Sequence, residues 1–168
     1  AIAALNLPKG SDVLISPVTD SGPLNAVIML GLNPVLMDSA PNSYNIGVDQ
    51  FLNRITPETS AVFVVHSAGE PLNIDKIVKE AHAKEIKVIE DCSQAPGAVC
   101  ANQKVGVFGD IAAYSTMYRK TLTAGASGGI VYSKDIDVFH QALAYADRGR
   151  PKWRENYISP WRPNAPPR

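Results

Sequence analysis

Short apolar runs punctuate this chain, and the segments between them repeat with a different period. Residues 13–15 (Val-Leu-Ile), 35–37 (Val-Leu-Met), 61–65 (Ala-Val-Phe-Val-Val), 87–89, 111–115 and 130–133 are short and apolar, which predicts buried strands. Residues 22–32 carry apolar side chains at helical spacing, and residues 48–55 predict a short helix. Residues 74–84 set Ile74, Ile77, Val78 and Ala81 on one face, the pattern of an amphipathic helix. Residues 136–146 close the series with another helix, and residues 1–7 read as the end of a helix stopped by Pro8 and Gly10. Strands alternating with helices predict βαβ units around a mainly parallel sheet, and uncharged strands imply cover on both faces. Beyond Gly149 the pattern stops and Pro151, Pro160, Pro163, Pro166 and Pro167 crowd the chain. The expected organisation is one domain over residues 1–149 and a Pro-rich tail or linker over residues 150–168.

Composition narrows the function classes. A chain of 168 residues fits one domain that buries a core without crosslinks. Lys plus Arg is 16 and Asp plus Glu is 16, so the formal net charge is zero and offers no footprint for nucleic acid or an anionic membrane. The basic residues gathered near the C-terminus, Arg148 to Arg168, read as a solvated or partner-facing tail. Cys92 and Cys100 are too few for a disulfide scaffold and read as small hydrophobes. His66, His82 and His140 fall on different elements, as ordinary packed or surface histidines do, and no metal site is expected. Residues 21–37 are free of charge but interrupted by Pro23 and Pro34, so they do not predict a bilayer span. With no secretory signal in view, a cytoplasmic, reducing location is expected. A chain starting at Ala1 rather than Met points to a natural N-terminus further upstream.

In open α/β sheets ligands gather at the carboxyl ends of strands. That rule selects Asp91, Ser115 and the segment after it; Asp38 and His66 also follow strands but each stands alone. The first segment is Glu90-Asp91-Cys92-Ser93-Gln94-Ala95-Pro96-Gly97-Ala98. Downstream come Gly106-Val107-Phe108-Gly109-Asp110, then Ser115-Thr116-Met117-Tyr118-Arg119-Lys120, then a small-residue stretch with Gly125, Gly128 and Gly129.

This ordered series resembles the DegT/DnrJ/EryC1/StrS family of pyridoxal-phosphate (PLP) aminotransferases. Members show Glu-Asp-(small)-(small)-Gln-Ala-x-Gly-Ala, a Gly-x-x-Gly-Asp turn, Ser-x-x-x-x-Lys and a Gly-rich stretch. The resemblance implies a three-layer α/β fold like the large domain of fold-type-I PLP enzymes. It implies that Lys120 is the amine that bonds to the PLP aldehyde, and that Asp91 sits beside the ring nitrogen and keeps it protonated. Gln94 would help seat the ring near its phenolic oxygen, and Ser115 would donate to the phosphate. It further implies amino transfer from Glu or Gln to a keto group on a nucleotide-sugar or cyclitol, in a homodimer. Trp153 and Trp161 in the tail fit packing against a second copy.

Three parts of the family pattern find no counterpart here: a Gly-Thr/Ser phosphate turn ahead of residues 1–7, a ring-stacking aromatic within residues 16–25, and a small C-terminal domain. The expectation is therefore a truncated enzyme, the alternative a non-catalytic chain that keeps the fold for assembly or ligand binding. A dehydrogenase fits the α/β pattern alone, but no Gly-x-Gly-x-x-Gly follows a strand.

Overall fold

The structure, a computed structural model, describes residues 1–146. The expected tail over residues 150–168, with Trp153 and Trp161, lies outside the described residues. Eight strands and four helices follow one another, with short 3-10 turns at Ile2–Leu5 and Ser67–Gly69. The first half runs β1 (Asp12–Ile15), α1 (Ser21–Met29), β2 (Asn33–Leu36), α2 (Val48–Leu52), β3 (Thr59–Val65) and α3 (Ile74–His82). The second runs β4 (Lys87–Asp91), β5 (Val99–Cys100), β6 (Gln103–Lys104), β7 (Ile111–Ser115), β8 (Gly129–Tyr132) and α4 (Ile136–Ala146).

Six strands form one sheet in the order β2-β1-β3-β4-β7-β8. All neighbours are parallel except β7 and β8, and β5 and β6 form a separate antiparallel hairpin. The α/β, mainly parallel architecture expected from the sequence is the one observed.

Strand alternation sorts the core into two layers. Leu14, Val62, Val64 and Val88 point to one face, where Phe51 of α2 and Ile74, Ile77 and Ala81 of α3 cover them. Val13, Ile15, Ala61, Phe63, Val65, Ile89 and Ile111 point to the other face, covered by Ile2, Ala4 and Val27. This explains the unbroken apolar run of β3: covered on both sides, it has no solvent face to spare.

Cover on both faces fails at β8. All four of its residues are exposed, with Ile130 at 49% and Val131 at 41%, and α4 has no buried residue. The first three helices also end earlier than the periodicity suggests, whereas α4 keeps its expected bounds. α1 stops at Met29 because Gly31 takes a left-handed φ of +72° and its carbonyl accepts from the Gly10 amide at 2.8 Å. α2 stops at Leu52, where Asn53 caps it. Among the described residues no helix is long and apolar enough to cross a membrane.

Candidate functional site

Register decides what meets what at the carboxyl end of the sheet. Asp91 pairs with Ala113, and Ile89 with Ile111, so Asp91, Ala113 and Ser115 share the face of Ile89 and Ile111. On the far side Ala113 pairs with Val131 and Ser115 with Gly129. Asp91, Ala113 and Val131 thus form one row across three strands, and Ser115 and Gly129 begin the next. Over these rows lies a cleft of about 680 Å³, walled opposite by Ala1, Ile2, Gly22 and Pro23. Asp91, Ser93 and Ser115 line it, and the methyl of Ala113 and the bare backbone of Gly129 leave it open.

Asp91 caps the turn that follows it: Oδ1 accepts from the Ser93 amide at 2.9 Å. Its other carboxylate oxygen has no partner among the described residues, and no cation pairs with it there. The cap and the open oxygen coexist, so capping does not spend the carboxylate. The Ser115 amide donates to Ser93 Oγ at 2.9 Å, and Ser115 Oγ accepts from the Met117 amide at 3.4 Å. The Ser115 hydroxyl proton is left without an acceptor among the described residues.

Of the four expected residues, Asp91 and Ser115 line the cleft. Lys120 is absent from the cleft lining. It sits on the loop of residues 116–128, which prolongs the β7–β8 pairing through Thr116 N–H to Gly128 O and Tyr118 N–H to Ala126 O, both 2.9 Å. The Lys120 amide donates to Met117 O at 2.9 Å, and its side chain has no hydrogen bond or ion pair among the described residues. Arg119 stacks its guanidinium over the Tyr118 ring at 5.2 Å. Gln94 is also outside the lining; its Oε1 accepts from the Ala68 amide at 2.8 Å. That bond orients the amide so that its NH2 group faces away from the Ala68 turn. Of the loop glycines, Gly125 takes a positive φ of +97°, whereas a Cβ on Gly128 would meet Thr116 Oγ1 at 2.6 Å.

His66 does not stand alone. Its side chain is fully buried, and Nε2 meets Glu90 Oε2 at 3.2 Å. Nδ1 accepts from the Leu72 amide at 3.3 Å, which places the ring proton on Nε2, directed at Glu90. Glu90 is equally buried and accepts three backbone amides as well: Gly106 at 2.7 Å, Phe108 at 2.9 Å and Gly109 at 2.6 Å. Burial alone pushes its carboxyl up, but hydrogen bonds from His66, Gly109 and Gly106 outweigh that and hold it below its ordinary value. Sequence reading missed this node, although the signal was present. In a Glu-Asp pair at a strand end, alternation sends the two carboxylates to opposite faces, so one of them must enter the packed layer under α3. Next to it, burial and the Glu90 charge push the Cys92 thiol up to about 12, so it remains protonated and inert.

Known proteins carry the same fold and sequence features. The family model described as the DegT/DnrJ/EryC1/StrS aminotransferase family matches residues 1–160. A GDP-perosamine synthase of Escherichia coli O157:H7 is 32% identical over 149 residues, which cover 89% of this chain and 41% of the synthase. The X-ray structure of an aminotransferase from Psychrobacter cryohalolentis superposes with a TM-score of 0.86 at 32% identity, over 94% of this chain and 40% of that one. The structure of NtdA from Bacillus subtilis, with bound cofactor PMP, superposes with a TM-score of 0.79 at 26% identity, over 85% of this chain and 32% of that one. The chain thus spans less than half the length of these relatives. A family match along nearly the whole chain, joined to a close superposition on a solved aminotransferase, carries one conclusion: this chain belongs to the DegT/DnrJ/EryC1/StrS aminotransferase family.

Proposed function

We propose that this chain is the cofactor-binding part of a PLP-dependent aminotransferase that acts on a keto group of a nucleotide-linked sugar or cyclitol, with Glu or Gln as amino donor. The observation that carries this reading is the shared cleft. Asp91 offers an unpartnered carboxylate oxygen and Ser115 an uncommitted hydroxyl proton, on the same face and one row apart. A pyridine nitrogen and a phosphate need those two chemistries, an anionic acceptor and a neutral donor. When bound, PLP supplies an electrophilic carbon and a ring that accepts electrons.

The chain's own residues do the rest. Asp91 holds a proton on the ring nitrogen, because a carboxylate without a competing cation stabilises the adjacent positive charge. Ser115 and the neighbouring small residues anchor the phosphate end. Lys120, on its loop beside β7, would hold the cofactor through its amine and would move protons at the substrate carbon. Gln94 presents its NH2 group as a donor. The apolar walls of Ile2, Pro23 and Ala26 exclude water from the ring.

A second reading is a ligand-holding chain without turnover, and the place of Lys120 outside the cleft lining favours it. Adding PLP to the chain decides between them. An enzyme of this kind develops the visible absorption band of lysine-bound PLP. Borohydride converts the band to a stable adduct at Lys120, and Lys120→Ala abolishes it. PLP bound without that band, or a band that survives Lys120→Ala, refutes the catalytic reading.

The same reading includes a homodimer, because β8 and α4 leave apolar side chains exposed, among them Ile130, Val131, Ile136 and Phe139, which suit cover by a second copy. Sedimentation at micromolar concentration is expected to give a dimer mass; a monomer throughout that range excludes the assembly.

A further inference from the structure

We propose that Ser93 is a positioning residue of this site, tying Asp91 and Ser115 into one unit across the gap between the ends of β4 and β7. The inference rests on the cofactor reading above for its chemical purpose, and on the hydrogen bonds alone for its geometry. The paired residues of β4 and β7 end at Asp91 and Ala113, and one further backbone bond follows, from the Cys92 amide to Ala113 O at 2.9 Å. Ser115 lies two residues beyond that pairing. Its amide reaches no carbonyl of the β4 side; it reaches the Ser93 hydroxyl instead, at 2.9 Å. A side-chain oxygen stands where a further rung of the ladder would have supplied a carbonyl.

Ser93 does this while its own amide holds Asp91 Oδ1, also at 2.9 Å. One residue therefore fixes the rotamer of the carboxylate at one end of the cleft and the backbone of the hydroxyl at the other. The two functions use different atoms. The Asp91 contact uses the Ser93 backbone and survives any substitution that keeps the turn. The Ser115 contact uses Oγ and is lost with it. Ser93→Ala should accordingly loosen Ser115 and leave Asp91 in place, which makes the effect specific to the phosphate end of a bound cofactor. General destabilisation would have no such preference.

The test compares PLP with pyridoxal, which lacks the phosphate, on the full chain and its variants. Losing one hydrogen bond corresponds to about fivefold in an equilibrium. For Ser93→Ala the expected result is about fivefold weaker PLP binding, unchanged pyridoxal binding, and about fivefold faster exchange of the Ser115 amide proton by NMR. Ser93→Thr, which keeps the hydroxyl, should restore both PLP affinity and Ser115 protection. Equal weakening of PLP and pyridoxal, an unchanged Ser115 exchange rate, or failure of threonine to rescue overturns the proposal. If the wild-type chain takes up neither ligand, the cofactor reading falls; the exchange of Ser115 in Ser93→Ala then still decides whether Ser93 holds it.

Discussion

Glu90→Gln is expected to cost roughly 3–5 kcal/mol of stability, although it removes no atom from the core. Four donors converge on this carboxylate: His66 Nε2 and the Gly106 amide at one oxygen, the Phe108 and Gly109 amides at the other. Glutamine keeps one acceptor and turns the other into an NH2 group facing two donors. At least two buried N–H groups then lose their partner with no water to replace it. For a chain of this size the loss corresponds to a fall in Tm on the order of 10 °C, read by thermal or chemical denaturation. A change below about 1 kcal/mol would mean that the carboxylate is not the anchor of residues 105–109.

The same residue predicts the shape of the acid limb. The folded Glu90 carboxyl sits below its ordinary 4.5, and the Asp110 carboxyl is held below its ordinary 3.8. At Asp110 burial acts upward, and bonds from the Val88 amide, Lys87 and His82 overcome it. A group depressed in the folded state contributes stability in full above its unfolded value. That contribution drains away as pH falls through the lower folded value. Stability should therefore be level above about pH 5 and decline below it. Glu90→Gln should flatten the part of that decline that Glu90 supplies.

Gly106→Ala is the other change expected to be severe, at roughly 3 kcal/mol or more. Gly106 has a φ of +91°, which an L-residue adopts only under strain, and a Cβ there would fall on the Tyr114 hydroxyl, 2.8 Å from Cζ and 3.2 Å from Cys92 Sγ. Tyr114 cannot step aside without losing its bond to Val105 O at 2.8 Å. Gly97→Ala and Gly125→Ala serve as controls, since both glycines have positive φ, +85° and +97°, with nothing within 4 Å of a Cβ. They should pay only for the backbone, about 1 kcal/mol. If all three alanine variants lose the same stability, contact with Tyr114 contributes nothing. Adding Tyr114→Phe to Gly106→Ala should recover part of the loss by making room.

The sheet was legible because burial on two faces leaves a direct trace in composition. β3 is apolar at every position from Ala61 to Val65, and α3 carries its buried residues at helical spacing. The exposure of β8 left no such trace: Ile130, Val131 and Tyr132 look like core residues in sequence, and only the sheet order shows that β8 is an edge. Asp91 and Ser115 were legible as strand-end residues. Their shared cleft depended on register, which a one-residue slip would have destroyed. Gln94 and Lys120 belong to turns whose side-chain directions follow from no periodic rule, and neither is among the residues that line the cleft. At the His66–Glu90 node the burial of Glu90 was legible from strand alternation, but its partner was not: His66 lies 24 positions away and meets Glu90 through a contact between neighbouring strand ends.

The reversal of direction at β8 also governs how the chain can be assembled and altered. Each parallel pairing closes only after a long excursion, as between β3 and β4, where α3 must be laid down first. β7 and β8 meet through the loop of residues 116–128 alone, so their closure costs little chain entropy and depends on no helix. The segment bearing Lys120 is in that sense an appendix to the parallel body. It can lengthen, shorten or change its residues without reopening the pairings that hold Asp91 and Ser115. Tuning the reach of the amine is thereby separable from keeping the seat beneath it, and a library confined to residues 118–127 would explore the first while leaving in place the hydrogen bonds at Asp91 and Ser115.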